Sequence, residues 1–302
     1  MTPEPERKVI ELADGITMPF REIPPGEFRM GQRGESENEE PVHLVKITRA
    51  FWMAETPVTQ EQFALWTGAE SVKHKNEFAG RAKNPAENMD WNEAMAFCRW
   101  FTEQYRGQFP EGMKLATLPS EAQWEYACRA GTDTEYHTGD GDAALAEAGW
   151  FGEKWGSGST HPVAEKARND FWLHDMHGNV WEWCADRWDE HAYRKRVDGW
   201  IADAAMEVET TGAAGENPRR VLRGGSWFGP ARSCRAAFRL RFEPGYRSRI
   251  YGFRLVLVPG PVAQPERGAP EKEKATGAGG EGSGGSGKRK DAAQRPKNFL
   301  RK

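Results

Sequence analysis

The sequence has few of the features that would cross-link a protein or place it in a membrane. Its four cysteines, at positions 98, 128, 184 and 234, lie far apart and form no CxxC pair. This favours reduced thiols, with Cys98 and Cys128 buried as small hydrophobic residues of helices. No segment approaches the roughly 18 consecutive apolar residues of a membrane span, and the N-terminus lacks the apolar core of a secretory signal. We therefore expect a cytoplasmic protein that does not contact a membrane.

A large excess of either charge is also absent. The formal net charge is only −3, so overall charge does not select a partner. Tryptophan and glycine are abundant instead, with 13 and 33 residues, while hydrophobic residues make up 38% of the chain. Each tryptophan has a large apolar surface to bury and an indole N–H that needs an acceptor. This composition predicts a loop-rich fold held together by indoles rather than a bundle of long helices.

The composition divides the chain into three parts. We expect residues 1–15 to be a charged, weakly ordered lead-in and residues 16–258 to form one large domain. Within the domain, residues 131–218 are rich in turn formers, which predicts loops. Residues 259–302 are rich in Pro, Gly and Ser and cannot bury enough apolar surface to fold, which predicts a disordered tail. The basic residues 288–302 are either solvated or a contact for nucleic acid or an acidic partner.

Three helix starts are legible in the sequence. Thr59, Asp90 and Ser120 are each followed by polar residues and then by apolar residues at helical spacing. A Gln or Glu stands three positions after each of them, which is the pattern of a capping box. The partner residues are Gln62, Glu93 and Gln123. We expect each cap to stabilise its helix by about 1 kcal/mol.

Eight sequence blocks, taken in order, resemble the formylglycine-generating enzyme, or sulfatase-modifying factor, domain. They are FRMG, EEPVHLVKI, ETPVTQEQF, NPAENMDWNEAMAFCRW, LPSEAQWEYACRAGT, DMHGNVWEW, RVLRGGSW and GFRLV. The resemblance covers residues 16–258 and implies an α+β fold of the C-type-lectin-like type, loop-rich with short strands and a few helices. Relatives of this kind include copper-dependent oxidases and iron-dependent sulfoxide synthases. They also include non-catalytic binders, some of them variable proteins of diversity-generating retroelements, so the fold alone does not determine function.

The oxidase resemblance implies two cysteines, five positions apart, after the RGGS motif. Their thiolates would hold Cu(I), a soft ion that prefers sulfur ligands. In this chain the second position is Cys234, but the first is Gly229. A single thiolate cannot make a two-coordinate copper site, so we do not expect copper. The alternative is an oxidase acting on a protein cysteine, in which Cys234 works with an unexpected second ligand.

The DMHGNVWEW block implies one structural Ca²⁺. The family pattern carries over to Asp175, Gly178, Val180 and Glu182, which would supply hard oxygen ligands around a sharp glycine turn. In the alternative interpretation, Glu182 and Asn179 are paired with backbone amides and no metal is needed.

The segment from residue 219 to 254 contains ten arginines, no lysine and one acid, Glu243. The resemblance assigns some residues of this segment to a fixed framework, or frame, around the RGGSW and GFRL motifs. Arg223, Arg235 and Arg254 occupy such frame positions, where we expect buried, multidentate hydrogen bonds. The other side chains that interrupt the frame are mostly aromatic, and aromatic and arginine side chains dominate binding hot spots. The predicted contact residues are Trp227, Phe228, Ser233, Phe238, Leu240, Phe242, Tyr246, Ser248, Ile250 and Tyr251.

These residues predict a non-catalytic module that binds a protein or a small-molecule ligand through its C-terminal segment, with Trp227 and the frame arginines supporting the surface. Retroelements diversify such segments at adenines of AAC codons, and the interrupting residues are all reachable from that codon. The competing interpretation is that Phe238 and Phe242 belong to the core.

Overall fold

The computed structural model describes residues 4–70, 72–196, 200–201 and 218–260. The described strands are β1 (Arg7–Ala13), β2 (Ile16–Ile23), β3 (Gly26–Met30), β4 (His43–Ile47), β5 (Phe51–Ala54), β6 (Leu115–Thr117), β7 (Gly149–Trp150), β8 (His177–Gly178), β9 (Trp181–Arg187), β10 (Trp200–Ile201), β11 (Arg220–Arg223), β12 (Leu240–Phe242), β13 (Tyr251–Gly252) and β14 (Val256–Val258). The described helices are α1 (Gln60–Ala69), α2 (Trp91–Tyr105), α3 (Glu121–Arg129), α4 (Gly141–Ala148) and α5 (Ala192–Lys195).

The three predicted helix starts are confirmed. Thr59, Asp90 and Ser120 are the N-caps of α1, α2 and α3, and each makes both hydrogen bonds of a capping box. The predicted apolar face of α2 is buried, with Phe97 and Phe101 fully inaccessible. Local hydrogen bonding and helical periodicity therefore identify where these helices begin.

The largest described sheet has the order β1-β2-β5-β14-β6 and brings the two ends of the domain together. β14, close to residue 258, pairs antiparallel with both β5 and β6. β1 pairs antiparallel with β2, so the expectation of a weakly ordered lead-in is wrong for residues 7–13. Despite the charged composition, these residues form a strand, and Ile10 is fully buried in the hydrophobic core.

A second sheet, β12-β11-β9-β13, places three of the sequence blocks side by side. β9 carries the end of DMHGNVWEW, β11 carries RVLR and β13 lies at the start of GFRLV. In the register, Glu182 of β9 faces Arg223 of β11 and Gly252 of β13. Sequence blocks that are far apart in the chain therefore converge through long-range strand pairing.

The loop prediction for residues 131–218 is only partly correct. Residues 151–176 contain neither helix nor strand, but α4, α5 and β7 to β10 lie in the remainder. β9 was missed because it starts with a run of four buried residues, from Trp181 to Cys184, and shows no alternation there. Such a short, continuously buried strand is not distinguishable from a loop by periodicity.

The predicted disordered tail falls on residues 259–302, of which 261–302 lie outside the described residues. Contact with nucleic acid through its basic end therefore stays a prediction. Among the helices that the structure describes, none is long and apolar enough to cross a membrane.

Candidate functional site

Gly229 and Cys234, the two positions expected to hold copper in an oxidase, have different environments. Gly229 has a φ of +122°, a conformation that side-chain-bearing residues rarely adopt. Cys234 ends a short 3-10 helix, Ala231–Cys234, and is completely buried. Burial raises the pKa of its thiol to about 12, so the neighbouring arginines do not produce an exposed thiolate. The backbone at 229 is thus shaped for glycine, and the remaining thiol is protonated.

The other thiols do not offer an evident replacement ligand. All four cysteines are unpaired and buried, which agrees with the expectation for Cys98 and Cys128. The sulfur of Cys128 lies 3.6 Å from Nε2 of His177, and Nδ1 of that ring lies 2.7 Å from the carbonyl oxygen of Cys234. Among the described residues, no group of three or more His, Cys, Asp or Glu side chains is arranged to hold a metal ion.

Glu182, the expected carboxylate ligand of the calcium position, is fully buried and already hydrogen-bonded. Arg254 donates to both of its oxygens, from Nε at 2.7 Å and from Nη2 at 2.6 Å. The indole N–H of Trp124 donates to the same carboxylate at 2.8 Å. The guanidinium therefore supplies the positive charge that a divalent cation would otherwise supply.

Asp175, the second carboxylate of this position, is also satisfied by protein donors. Its oxygens accept from the amide of Ala164 at 2.8 Å and from the side chain of Asn179 at 3.2 Å. Burial raises the pKa of Asp175, and the hydrogen bonds from Ala164 and Asn179 offset part of this effect. Arg254 also donates to the carbonyl oxygen of Asp175 at 3.3 Å and so links it to Glu182; Gly178 and Val180 lie between these two residues in the chain. These hydrogen bonds support the metal-free interpretation of the block, although Glu182 is paired with the side chains of Arg254 and Trp124 and not with backbone amides. The calcium site stays a prediction.

The frame arginines make the expected buried, multidentate contacts. Arg223 donates to the carbonyls of residues 236, 237 and 238 and pairs with Glu125. Arg235 pairs with Glu39 at 2.9 and 3.1 Å. Arg239, which was not singled out from the sequence, makes a similar buried pair with Glu121. These contacts hold the C-terminal segment against α3 and the N-terminal half of the domain.

The predicted contact residues differ widely in exposure. Phe228 and Tyr246 are exposed, at 38% and 48%. Trp227 and Tyr251 are buried. This agrees with the supporting role expected of Trp227, whereas Tyr251 does not present its ring to solvent as a contact residue would. The half-buried residues are Ser233, Phe238, Leu240, Phe242, Ser248 and Ile250. Phe238 and Phe242 pack against the main apolar cluster, so both the core and the surface interpretations describe them in part.

An exposed aromatic cluster surrounds Phe228. Its ring lies edge-on to Trp155 at 4.9 Å, and the buried Trp227 stacks beneath Trp155 at 6.0 Å. The guanidinium of Arg249 lies 3.8 Å over the Trp155 ring. Trp155 is 45% exposed and comes from the loop after β7, so it was absent from the predicted surface. A tryptophan within the Gly- and Lys-containing stretch GEKWGSG was the available signal.

A second aromatic cluster forms around Tyr246. Its ring stacks on Phe242 at 4.7 Å, and Phe242 lies 5.4 Å from the buried Tyr251. A cleft of about 380 Å³ beside Phe242 is lined by Trp188 and Arg219 among others. The C-terminal segment therefore presents two separate groups of exposed rings, each resting on a buried one.

The fold is shared with proteins of the formylglycine-generating-enzyme-like, C-type-lectin-like class. Residues 19–258 match the family described as the sulfatase-modifying factor enzyme 1-like domain, and the chain belongs to this family. Serine/threonine-protein kinase pkn1 of Chlamydia caviae is 30% identical over 251 residues, covering 76% of this chain and 36% of the kinase. The chain thus spans about a third of that relative's length. Formylglycine-generating enzyme of Streptomyces coelicolor is 28% identical, covering 77% and 87% of the two chains.

Two solved structures share the fold over most of their length. Treponema denticola variable protein 1 superposes with a TM-score of 0.67 at 27% identity, covering 84% of this chain and 99% of that one. PvdO from Pseudomonas aeruginosa superposes with a TM-score of 0.64 at 23% identity, covering 79% and 94%. The likeness to PvdO is evidence for the fold alone.

Proposed function

We propose that this domain is a non-catalytic binding module that recognises a protein ligand through the exposed aromatic cluster of Trp155 and Phe228. The observation that carries the proposal is Gly229, which stands where an oxidase would need a thiolate and has a φ of +122°. With Cys234 buried and its pKa raised to about 12, the thiolate pair of a copper oxidase is missing.

The exposed rings support binding because apolar surface of this kind is costly to leave in water. Trp155 and Phe228 are the large residues of this cluster, and Arg249 adds a guanidinium stacked on the indole. Tryptophan and arginine are the residue types that carry most of the energy in protein interfaces. Trp227 packs beneath Trp155, and the amides of Gly152 and Glu153 donate to the carbonyls of Gly229 and Trp227. These contacts hold the cluster in place, so little conformational entropy remains to be lost on binding.

The similarity to Treponema denticola variable protein 1 adds to this proposal, since it covers 84% of this chain at 27% identity. We extend the proposal to diversification of residues 227–251 by a retroelement. A reverse transcriptase gene beside this one, with a repeat that matches the segment, is the expected finding. A neighbouring sulfatase gene would instead favour the oxidase.

A copper titration tests the absence of catalysis. The protein is titrated with Cu(I) against a competing chelator, and oxygen uptake is followed with a cysteine-containing peptide as substrate. We expect no stoichiometric copper uptake and no turnover. Turnover that disappears in Cys234→Ser would overturn the proposal and make the protein an oxidase with an unexpected second ligand.

A peptide selection tests the binding face. Peptides selected from a random display library on the wild-type domain are assayed against the double variant Trp155→Ala/Phe228→Ala. We expect at least a ten-fold loss of affinity, and an unchanged affinity for Arg99→Ala, which alters an exposed residue of α2. Peptides that bind the double variant as well as the wild type would argue against this face.

A further inference from the structure

A charged cleft of about 610 Å³, lined by neither Trp155 nor Phe228, is formed by β1, β2 and the loop that precedes β8. Four basic side chains and two carboxylates line it. They are Arg7, Arg21, Lys166, Arg168, Glu4 and Glu55. The cleft therefore has an excess of positive charge in a protein whose formal net charge is −3.

The two carboxylates compensate only one side of the cleft. Glu55 accepts from Arg7 at 2.8 Å and from Arg21 at 2.7 Å, and Glu4 accepts from Arg21 at 2.8 Å. Lys166 donates to the carbonyl of Ala146 at 2.8 Å. Within the part of the chain that the structure describes, neither Lys166 nor Arg168 pairs with a carboxylate. Lys166 also lies 4.2 Å over the ring of Trp150, so its ammonium is already engaged by protein groups. Arg168, which is exposed, therefore carries the positive charge that is available to an anion.

Trp172, at the rim of the cleft, holds a conformation that tryptophan rarely adopts. Its φ is +62°, in the left-handed region that glycine occupies without strain. Asn169 fixes this turn: its side-chain oxygen accepts from the amides of Phe171 at 3.0 Å and Leu173 at 3.1 Å. The loop therefore holds a half-exposed indole at a position where glycine would be less strained.

Two guanidinium groups lie over that indole. The central carbon of Arg168 is 3.4 Å from the ring centroid and that of Arg21 is 4.4 Å from it. The ring attracts both cations, but the cations repel each other. An anion in the cleft would relieve this repulsion, and it would find donors with a geometry suited to oxygen atoms.

We propose that this cleft binds a small ligand through an oxyanion, a phosphate or a carboxylate group, which Arg168 and Lys166 hold beside Trp172. The site does not rest on the proposed function, because it shares no residue with the Trp155 cluster. Arg7 and Arg21 position the indole and the carboxylates, Arg168 supplies the available donors, and Lys166 adds positive charge.

The test uses the full-length protein labelled with ¹⁵N at its tryptophan indoles. The Trp172 signal is assigned by its loss in Trp172→Phe. The protein is titrated with inorganic phosphate and, separately, with citrate, and KCl keeps the ionic strength constant. We expect the Trp172 indole signal to shift and saturate with at least one of the two anions. Saturation with phosphate alone identifies a phosphate site, and saturation with both identifies a general oxyanion site.

The variants then decide whether the cleft is responsible. Arg168→Gln/Lys166→Gln should weaken binding at least ten-fold, whereas Arg99→Gln, which removes one exposed charge from α2, should leave it unchanged. A shift that KCl alone reproduces, or an affinity that the double variant retains, would overturn the proposal.

Discussion

The buried pair of Glu182 and Arg254 allows the metal-free interpretation to be tested by one substitution. In Glu182→Gln, the carboxamide replaces one acceptor oxygen by a donor, while three N–H groups from Arg254 and Trp124 still point at the position. The guanidinium of Arg254 is fully buried and would lose the charge that compensates it. Breaking a buried pair in this way typically costs about 3–5 kcal/mol. We expect the free energy of unfolding to fall by that amount.

The assay is urea denaturation followed by fluorescence, with and without calcium and a chelator. The matched control is Glu27→Gln, the same chemical change in an exposed pair with Lys46 at 2.8 Å, for which we expect less than about 1 kcal/mol. Wild-type stability should be the same in EDTA and in calcium. A bound calcium ion at 100 times its Kd would add about 2.7 kcal/mol. A chelator effect of that size, or a small effect of Glu182→Gln, would refute the reasoning.

Three further predictions follow from burial and backbone conformation. Trp227→Ala should lower the free energy of unfolding by about 3–5 kcal/mol, because Trp227 is buried. Trp155→Ala, at an exposed position, should lower it by less than about 1 kcal/mol. Equal urea midpoints of the two variants would contradict this difference. Gly229→Cys should lower the free energy of unfolding by about 1–3 kcal/mol, because the φ of this residue is +122°. It should not create a Cu(I) site, and stoichiometric copper uptake in a chelator competition would contradict this. Burial lowers the pKa of His177 to about 3 and of His137 to about 4, against about 6.5 in the unfolded chain. The free energy of unfolding should therefore receive the full contribution of these two histidines above about pH 6.5 and lose it as the pH falls towards about 4, because only the unfolded chain then takes up protons. The measurement is an NMR titration, and imidazole signals of both residues that titrate near about pH 6.5 would disprove the prediction.

Sequence reasoning predicted those features that depend on neighbours along the chain. The capping boxes of Thr59, Asp90 and Ser120 involve residues three positions apart, so their patterns could be read directly. The burial of Arg223, Arg235 and Arg254 could be predicted because the resemblance places them in the family framework, where multidentate hydrogen bonds are expected. Which carboxylates these are could not be predicted, since Glu39 lies 196 residues from Arg235.

The contact surface was predicted less well because alternation along an irregular segment does not determine which side chains face water. Tyr251 and Trp227 have the same residue types as the exposed Tyr246 and Trp155, yet they are buried. Strand β13 pairs with β9 and turns Tyr251 inward, against Trp183. Trp155 joins the surface from a loop more than 70 residues before Phe228, and no local pattern connects the two.

The chain by itself determined the family, the helix starts, the missing thiol at position 229 and the arginine frame, because each is a matter of residue type or of spacing within a few positions. Tertiary structure alone decided which aromatic rings reach solvent, that Arg254 satisfies Glu182, and that Trp172 meets two guanidiniums at the rim of a charged cleft. These outcomes depend on contacts between residues far apart in sequence. Burial and electrostatic compensation are properties of the three-dimensional neighbourhood.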